Sequence, residues 1–335
     1  MQRYTIKEIA KMAGVSPSAV SIVLNNRKGV GEETRKKVEE IVSQMNYVPN
    51  PNSRRLISNR SGNIAILLKK DTTLLEFFFY SDLNRFVLHE CEANGYNVIF
   101  SSYTVKNDKV TLPNIICSYD VDGAIFYDDI EDEVAASMRK YNIPFIVADD
   151  HANNDRIPAI HFDYCKAAAQ ATDYLISLGH TQTAYIGNPA ETPFGAQTLA
   201  GFKDSVESNH INIPLSWVQF TCGNENSILQ CIDKILSFGT PTALLCSTDM
   251  YAIDALKILK AKGFRIPGDI SVIGIDDIML SSYIEPALTT VKVDRARMGV
   301  ATVHALIKKI NGEMEAKLDF PAGELMVRES TRSLL

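Results

Sequence analysis

The texture of this 335-residue chain changes near residue 60, and that change constrains the fold more than any single motif. Before it, apolar residues recur only at helical spacing. After it, short continuous apolar runs alternate with amphipathic stretches. The chain therefore follows two building plans in turn: a small all-helical unit, then a larger body of parallel strands joined by crossover helices.

The helical unit can be read residue by residue. Thr5-Ile6-Lys7-Glu8 forms a capping box, in which the Thr5 hydroxyl serves the Glu8 amide and the Glu8 carboxylate reaches back. Ile6, Ile9, Ala10 and Ala13 then make one apolar face, and Gly14 supplies the left-handed position that ends a helix. Ser16-Pro17 starts a second helix with a polar cap and proline in the first turn. Val20, Val23 and Leu24 form its inward stripe, and Asn25-Asn26 closes it. A third helix over about 32–45 turns Val38, Ile41, Val42 and Met45 inward. Two helices joined at a tight glycine, with a third as brace, make a helix-turn-helix.

Charge says what such a unit is for. Residues 1–60 hold 11 Lys or Arg against 5 Glu, a balance of +6, so the remainder carries −12 to reach the net −6. A whole-chain acidic balance argues against nucleic acid, but the split between segments points to a basic DNA-binding headpiece on an acidic body. A three-helix protein-interaction module is the bland alternative, and it has little use for the basic excess. Pro17, Ser18, Ala19, Ser21 and Ile22 face outward on the second helix, whose first residues reach base edges in this docking mode. Ser18 and Ser21 suit a base or a phosphate; Ala19 or Ile22 suits a thymine methyl.

The tether Tyr47-Val48-Pro49-Asn50-Pro51-Asn52-Ser53-Arg54-Arg55-Leu56-Ile57 follows. Pro49 ends the third helix, and Asn50-Pro51 can cap a new one of about two turns, too short to be stable alone. It is expected to order only against a partner. Leu56 beside Arg54 and Arg55 suits a minor-groove wedge flanked by phosphate contacts.

Thr5-Ile6-Lys7-Glu8-Ile9-Ala10, the run from Ala13-Gly14-Val15-Ser16-Pro17 to Ser21, and Val23-Leu24-Asn25 resemble the headpiece of the lactose/galactose repressor family. Glu33-Thr34-Arg35 and Tyr47-Val48-Pro49-Asn50 continue the match. The resemblance implies a homodimer on a near-palindromic double-stranded DNA operator, with paired hinge helices and Leu56 prising open the central step. DNA contact is accordingly assigned to Thr5, Ser16, Pro17, Ser18, Ser21, Ile22, Asn25 and Arg35, and in the tether to Asn50, Ser53, Arg54 and Leu56. Ile22 departs from the polar or basic residue often found at its position, which bears on the operator sequence.

The body begins with Ile64–Leu68, an apolar run suited to a strand buried on both faces. A helix over 81–93 and strands over 97–101, 123–127, 144–147 and 159–162 make a first set, with a weak helical stretch near 110–118. Helices over 166–178, 198–208, 226–238 and 250–262 alternate with strands over 183–186, 217–220, 243–246 and 271–275 in a second set. The chain returns at 289–293. This predicts an α/β core of two doubly wound parallel-sheet lobes, which resembles the periplasmic sugar-binding-protein architecture. The expected division is 1–48 for the helix-turn-helix, 49–61 for the hinge helix and 62–335 for the effector-binding and dimerisation core. One lobe takes about 62–162 and 292–320, the other about 163–291 and 321–335. Val121-Asp122-Gly123, Leu178-Gly179-His180, Gly201-Phe202, Thr248-Asp249, Ile273-Gly274-Ile275-Asp276-Asp277 and Leu288-Thr289-Thr290-Val291 match the same repressor family. The resemblance thus covers nearly the whole chain.

Ligands of such sheets bind at the carboxyl ends of the strands, so a small-molecule effector is expected in the cleft between lobes. By resemblance its contacts are Phe79, Tyr80, Asp149, Asp249 and Asp276, together with positions 192, 194, 198 and 222. Aromatic faces stack on a sugar or base, and carboxylates accept from hydroxyl or ring N–H groups. Asp249 and Asp276 have an equally direct reading as helix caps or loop-shaping groups. Thr198 stands where the family commonly has arginine, Thr192 and Phe194 where purine-type members are more polar, and Cys222 where an aromatic often stacks. These departures point to an effector that is less anionic and more apolar than usual, or to none, with control by a partner protein or by expression alone.

Other classes find little support. There is no G-x-S-x-G, Walker A loop, G-x-G-x-x-G or H-E-x-x-H, so no enzyme motif and no cofactor is indicated. The six histidines (89, 151, 161, 180, 210, 304) show no metal-ligand spacing and read as surface or satisfied core residues. The six cysteines lack C-x-x-C spacing and read as reduced core or surface thiols of a cytosolic protein, and the family resemblance implies a cytoplasmic, nucleoid-associated bacterial one. No signal peptide or membrane-spanning run is present, which separates this chain from a secreted solute-binding protein. No C-terminal heptad repeat is seen, so a dimer is expected rather than a dimer of dimers.

Overall fold

The structure, a computed structural model, describes residues 4–24, 28–45, 60–70, 78–313, 320 and 323–335. Two units separate by their internal contacts: Met1–Gly62 with Tyr119–Asp122, and Asn63–Ser118 with Gly123–Leu335.

In the first unit, α1 (Ile6–Ala13), α2 (Pro17–Leu24) and α3 (Glu32–Gln44) pack around Ile9, Ala10, Ala13, Val20, Val23 and Val38. The capping box forms in full: the Thr5 hydroxyl accepts from the Glu8 amide, and the Glu8 carboxylate takes the Thr5 amide at 2.7 Å. Gly14 closes α1 at φ +65°, a conformation that costs a Cβ-bearing residue more than glycine. Ser16 accepts from the Ala19 amide at 3.2 Å, and Pro17 opens α2. The tight turn between α1 and α2 is thus built from one left-handed glycine and one side-chain cap.

The second unit holds two six-stranded sheets. Strands β1 (Asn63–Lys69), β2 (Asn97–Lys106), β3 (Lys109–Thr111), β4 (Gly123–Tyr127), β5 (Phe145–Ala148) and β6 (Ala159–Ile160) form the first, in the order β3-β2-β1-β4-β5-β6. Strands β7 (Thr183–Gly187), β8 (Val218–Phe220), β9 (Ala243–Cys246), β10 (Ser271–Asp276), β11 (Thr289–Lys292) and β12 (Glu324–Met326) form the second, in the order β12-β11-β10-β9-β7-β8. All neighbours are parallel except the edge pairs β2–β3 and β11–β12. Every residue of β4, β5, β7, β9 and β10 is buried, which is why these strands read as continuous apolar runs.

Helices α4 (Phe78–Ala93), α5 (Asn114–Cys117), α6 (Asp132–Lys140), α7 (Tyr164–Ser177), α8 (Pro193–Ser208), α9 (Glu225–Ser237), α10 (Asp249–Ala261) and α11 (Arg295–Ile310) connect the strands. Helix α11 pairs with α4 and lies across β4, β5 and β6; α7 pairs with α8 and lies against β10 and β11. The α7–α8 approach is close: a Cβ at Gly201 would stand 1.9 Å from the Cys165 carbonyl oxygen.

The expected helix near 110–118 is instead a hairpin followed by a single turn. Asn107 (φ +49°) and Asp108 (φ +60°) both take left-handed backbone, the geometry of a two-residue turn matched to strand twist, and β3 pairs back onto β2. Pro113 then caps the one-turn α5. The strand order reverses between β1 and β4 in the first sheet and between β7 and β9 in the second. Crevices for ligands form outside the carboxyl ends of strands at such points.

Candidate nucleic-acid interface and ligand cleft

The outer surface of α2 carries the candidate base-reading residues. Ser16, Pro17 and Ser18 are exposed, and Ser21 and Ile22 are half-buried. Thr5 is exposed at the start of α1, with its hydroxyl committed to Glu8, and Arg35 is half-buried on α3. Three-helix packing therefore leaves the first turn of α2 open while its Val20 and Val23 hold the core. Asn25, Asn50, Ser53, Arg54 and Leu56, with the proposed hinge helix, lie outside the described residues.

The cleft wall supplied by the first sheet centres on Asp149, just past β5, at φ +63° and 2% exposed. The Tyr80 hydroxyl, from the first turn of α4, donates to one of its oxygens at 3.0 Å. The Tyr164 hydroxyl, from the first residue of α7, donates to the other at 2.9 Å. Burial, then the Asp149 charge, pushes both tyrosines well above the ordinary phenol range, so both remain donors. The Tyr80 ring stacks on Tyr127 at 5.9 Å and meets Phe79 edge-on at 5.1 Å.

His151 lies beside this group. Its Nε2 is 3.5 Å from Asp149, and its Nδ1 is 3.2 Å from Asp128 and 3.4 Å from Asp129. Burial works against a charged ring here, but the Asp149, Asp128 and Asp129 carboxylates outweigh it and hold the imidazole well above its ordinary pKa. From the facing side, Phe194 in the first turn of α8 packs edge-on against His151 at 5.1 Å and Tyr164 at 4.8 Å. Gln197 donates to the His151 carbonyl at 2.6 Å.

The second sheet contributes Asp249 and Asp276. Asp249 is fully enclosed at the start of α10; Thr248, not Asp249, caps that helix. Its carboxyl accepts from the hydroxyls of Ser281 and Thr290, each at 2.5 Å, and from the Ile278 amide at 3.0 Å. Burial outweighs these three donors and pushes it up to about 7. Asp276, at the end of β10, is 7% exposed, and burial followed by the nearby Asp249 raises it well above the usual carboxylate range. Arg295, buried at the start of α11, donates to the carbonyls of Asp276 and Asp277 and to the Asp82 carboxylate at 3.0 Å, with its guanidinium 5.5 Å from the Phe79 ring.

Phe79, Tyr80, Asp149, Phe194, Asp249 and Asp276 therefore belong to one connected region. The other three candidates have their side chains engaged elsewhere. Thr198 is fully buried in α8, bonded to the Tyr185 hydroxyl at 2.8 Å. Thr192 caps α8, accepting from Gly195 and donating to the Pro189 carbonyl. Cys222 is exposed beyond β8, its sulfur taking the Asn224 amide at 3.1 Å. Sequence reading missed Asp128, Asp129, His151, Tyr164 and Arg295. The first three follow directly on the carboxyl ends of β4 and β5, and that position was the available signal. A separate groove of about 1140 Å³ runs along the β6 edge between Arg139, Arg156 and Lys309. It reaches Phe320, whose neighbours 314–319 and 321–322 lie outside the described residues, and no role is assigned to it.

A capped helix-turn-helix in a basic segment, on the same chain as a two-sheet α/β body with a buried cluster of acidic and aromatic side chains at its strand ends, defines a ligand-responsive transcription regulator. The chain belongs to the LacI family of bacterial regulatory proteins: residues 5–50 match that family's model, and residues 172–331 match the periplasmic binding protein-like domain. It is 32% identical over 334 residues to the probable HTH-type transcriptional repressor ExuR of Bacillus subtilis (strain 168), covering 98% of this chain and 99% of the relative. It is 30% identical over 341 residues to the HTH-type transcriptional repressor PurR of Vibrio vulnificus (strain CMCP6), with 98% and 99% covered. The crystal structure of the lac repressor dimer bound to operator and the anti-inducer ONPF superposes with a TM-score of 0.83 at 24% identity, covering 99% of this chain and 100% of that one. Among the described residues no helix is long and apolar enough to cross a membrane.

Proposed function

We propose that the chain is an effector-controlled repressor that binds a pseudo-palindromic operator as a homodimer in the bacterial cytoplasm. The observation that carries this reading is the exposed first turn of α2 on a basic three-helix unit, within a chain that aligns with HTH-type repressors along 98% of its length. Pro17, Ser18, Ser21 and Ile22 are assigned to the major groove, Arg35 to phosphate, and the 49–61 segment to the minor groove at the dyad. The effector lies between Phe79, Tyr80 and Asp149 on one side and Asp276 and Phe194 on the other. It acts by differential affinity for two degrees of lobe closure, which sets the spacing of the paired headpieces.

The same region favours an effector without net negative charge. Asp128, Asp129 and Asp149 line it, Thr198 offers no outward group, and Arg295 is committed to carbonyls and Asp82. The deciding experiment is salt-controlled fluorescence anisotropy of the full-length protein on its own upstream DNA, with and without a metabolite panel. Saturable, sequence-specific binding that one neutral or cationic compound shifts is the expected result. Absence of sequence-specific binding refutes the repressor assignment. Tight calorimetric binding of an anionic sugar or nucleotide, lost in Asp276→Ala, refutes the effector class.

A further inference from the structure

We propose that Asp128, Asp129 and His151 form a binding site for one divalent transition-metal ion at the carboxyl ends of β4 and β5. The site shares Asp128 and Asp129 with the region assigned to the effector, and its test uses the metal alone.

The first support is convergence. The strands β4 and β5 are paired neighbours, so the residues just beyond them meet although 22 positions separate Asp129 from His151. His151 Nδ1 stands 3.2 Å from an Asp128 oxygen and 3.4 Å from an Asp129 oxygen, and one donor atom from each residue lies within 4.8 Å of the others. Donors at roughly 2.0–2.2 Å from zinc in tetrahedral array stand about 3.3 Å from one another. The two distances from Nδ1 fit a shared cation of that size.

The second support is the alignment of the ring nitrogen rather than its distance from the carboxylates. His151 is 5% exposed, and its Nδ1 is enclosed without any aligned hydrogen bond, despite the two oxygens close by. Buried polar atoms normally find a partner, and one left without calls for an ion or water to account for it. On exchanging its proton for an incoming ion, Nδ1 turns a lone pair toward the space the two aspartates share.

The surroundings fit a metal shell in detail. One Asp129 oxygen accepts from the amides of His151 (2.7 Å) and Ala152 (2.9 Å), which leaves the other for the ion. On the far side of the ring, Asp149 faces Nε2 at 3.5 Å and is itself fixed by Tyr80 and Tyr164. A carboxylate behind a ligating histidine fixes ring orientation and tautomer. The metal displaces the ring proton, and two carboxylates with the imidazole so freed balance a dication. Asp128 is 42% and Asp129 25% exposed, so remaining coordination positions face solvent and stay open to an oxygen donor. One nitrogen and two oxygens suit zinc, manganese, cobalt or ferrous iron, not a soft monovalent ion.

The rival is a plain imidazolium–carboxylate ion pair, and cobalt distinguishes the two. The full-length protein is stripped with chelator, then titrated with Co²⁺ by calorimetry and visible absorption. The expected result is one Co²⁺ per chain with ligand-field bands and no thiolate charge-transfer band. Asp128→Asn and His151→Gln are each expected to weaken binding at least tenfold. Asp128 is partly exposed, so its variant tests the site even if His151→Gln fails to fold, with thermal melting as the folding control. No saturable binding, equal affinity in Asp128→Asn, or a thiolate band assigning the metal to cysteine overturns the proposal.

Discussion

Replacing Gly201 with alanine tests the packing on which one wall of the cleft depends. The new methyl carbon falls 1.9 Å from the Cys165 carbonyl oxygen and 3.0 Å from the Ala169 amide nitrogen. A carbon and a carbonyl oxygen rest at about 3.3 Å or more, so α7 and α8 must part by roughly 1.4 Å. The obstruction is backbone, and no rotamer change relieves it. Overpacking of this kind costs ~1–3 kcal/mol, and the upper end applies where helices must move as bodies. The shift loosens Leu199, Phe202 and Val206 from the core, and it carries Phe194 and Gln197 away from His151. Equilibrium urea unfolding of the full-length protein, read by circular dichroism, should show Gly201→Ala less stable than wild type by about 3 kcal/mol. A loss below about 0.5 kcal/mol, within the range of ordinary surface changes, refutes backbone contact between these helices.

Three further outcomes are expected. Thr5→Ala removes the cap of α1 and should cost about 1 kcal/mol of headpiece stability, measured by melting; an unchanged midpoint counts against the capping box. Asp249 has a folded pKa of about 7, above the ordinary unfolded value, so the folded state holds its proton over the window between them. Its stabilising contribution is complete below about pH 4 and is lost as pH rises through 7, a swing of ~4 kcal/mol at about 1.4 kcal/mol per unit. Asp249→Asn should therefore gain on wild type as pH rises from 4 to 8, and a pH-independent difference in unfolding free energy would sink the assignment. Arg35→Ala should weaken binding to all DNA sequences alike and lower the salt slope by about one; loss confined to one operator sequence would make Arg35 a base reader instead.

Strands such as Gly123–Tyr127 and Ala243–Cys246 were legible because burial on both faces leaves an uninterrupted apolar run between turn residues. The headpiece was legible for a different reason: Thr5, Gly14 and Ser16-Pro17 act through local backbone geometry, which neighbouring residues alone determine. The hairpin at Asn107-Asp108 was missed because its left-handed residues are not the usual glycine. Helix α11 went unassigned, although it braces the first sheet. Thr198 was read by alignment to a ligand-facing arginine, yet Gly195, Thr198, Leu199, Phe202, Ser205 and Val206 recur at helical spacing and mark the inner face. His151 was beyond any spacing rule: Asp128 and Asp129 are brought to it only by strand adjacency, a property of the sheet as a whole.

Arg295 grips the carbonyl oxygens of residues 276 and 277, atoms that every amino acid possesses. The joint between the end of β10 and the start of α4 therefore makes no use of the Asp276 side chain, while the Asp277 carboxylate is held by Arg328. Descendants of this chain can exchange Asp276 for glycine, asparagine or another residue that accepts φ +126°, and so change what the site recognises, while the grip of Arg295 on the backbone stays intact. Recognition and transmission are separable under mutation here, and a lineage built this way can acquire new signals without relearning how to respond to them.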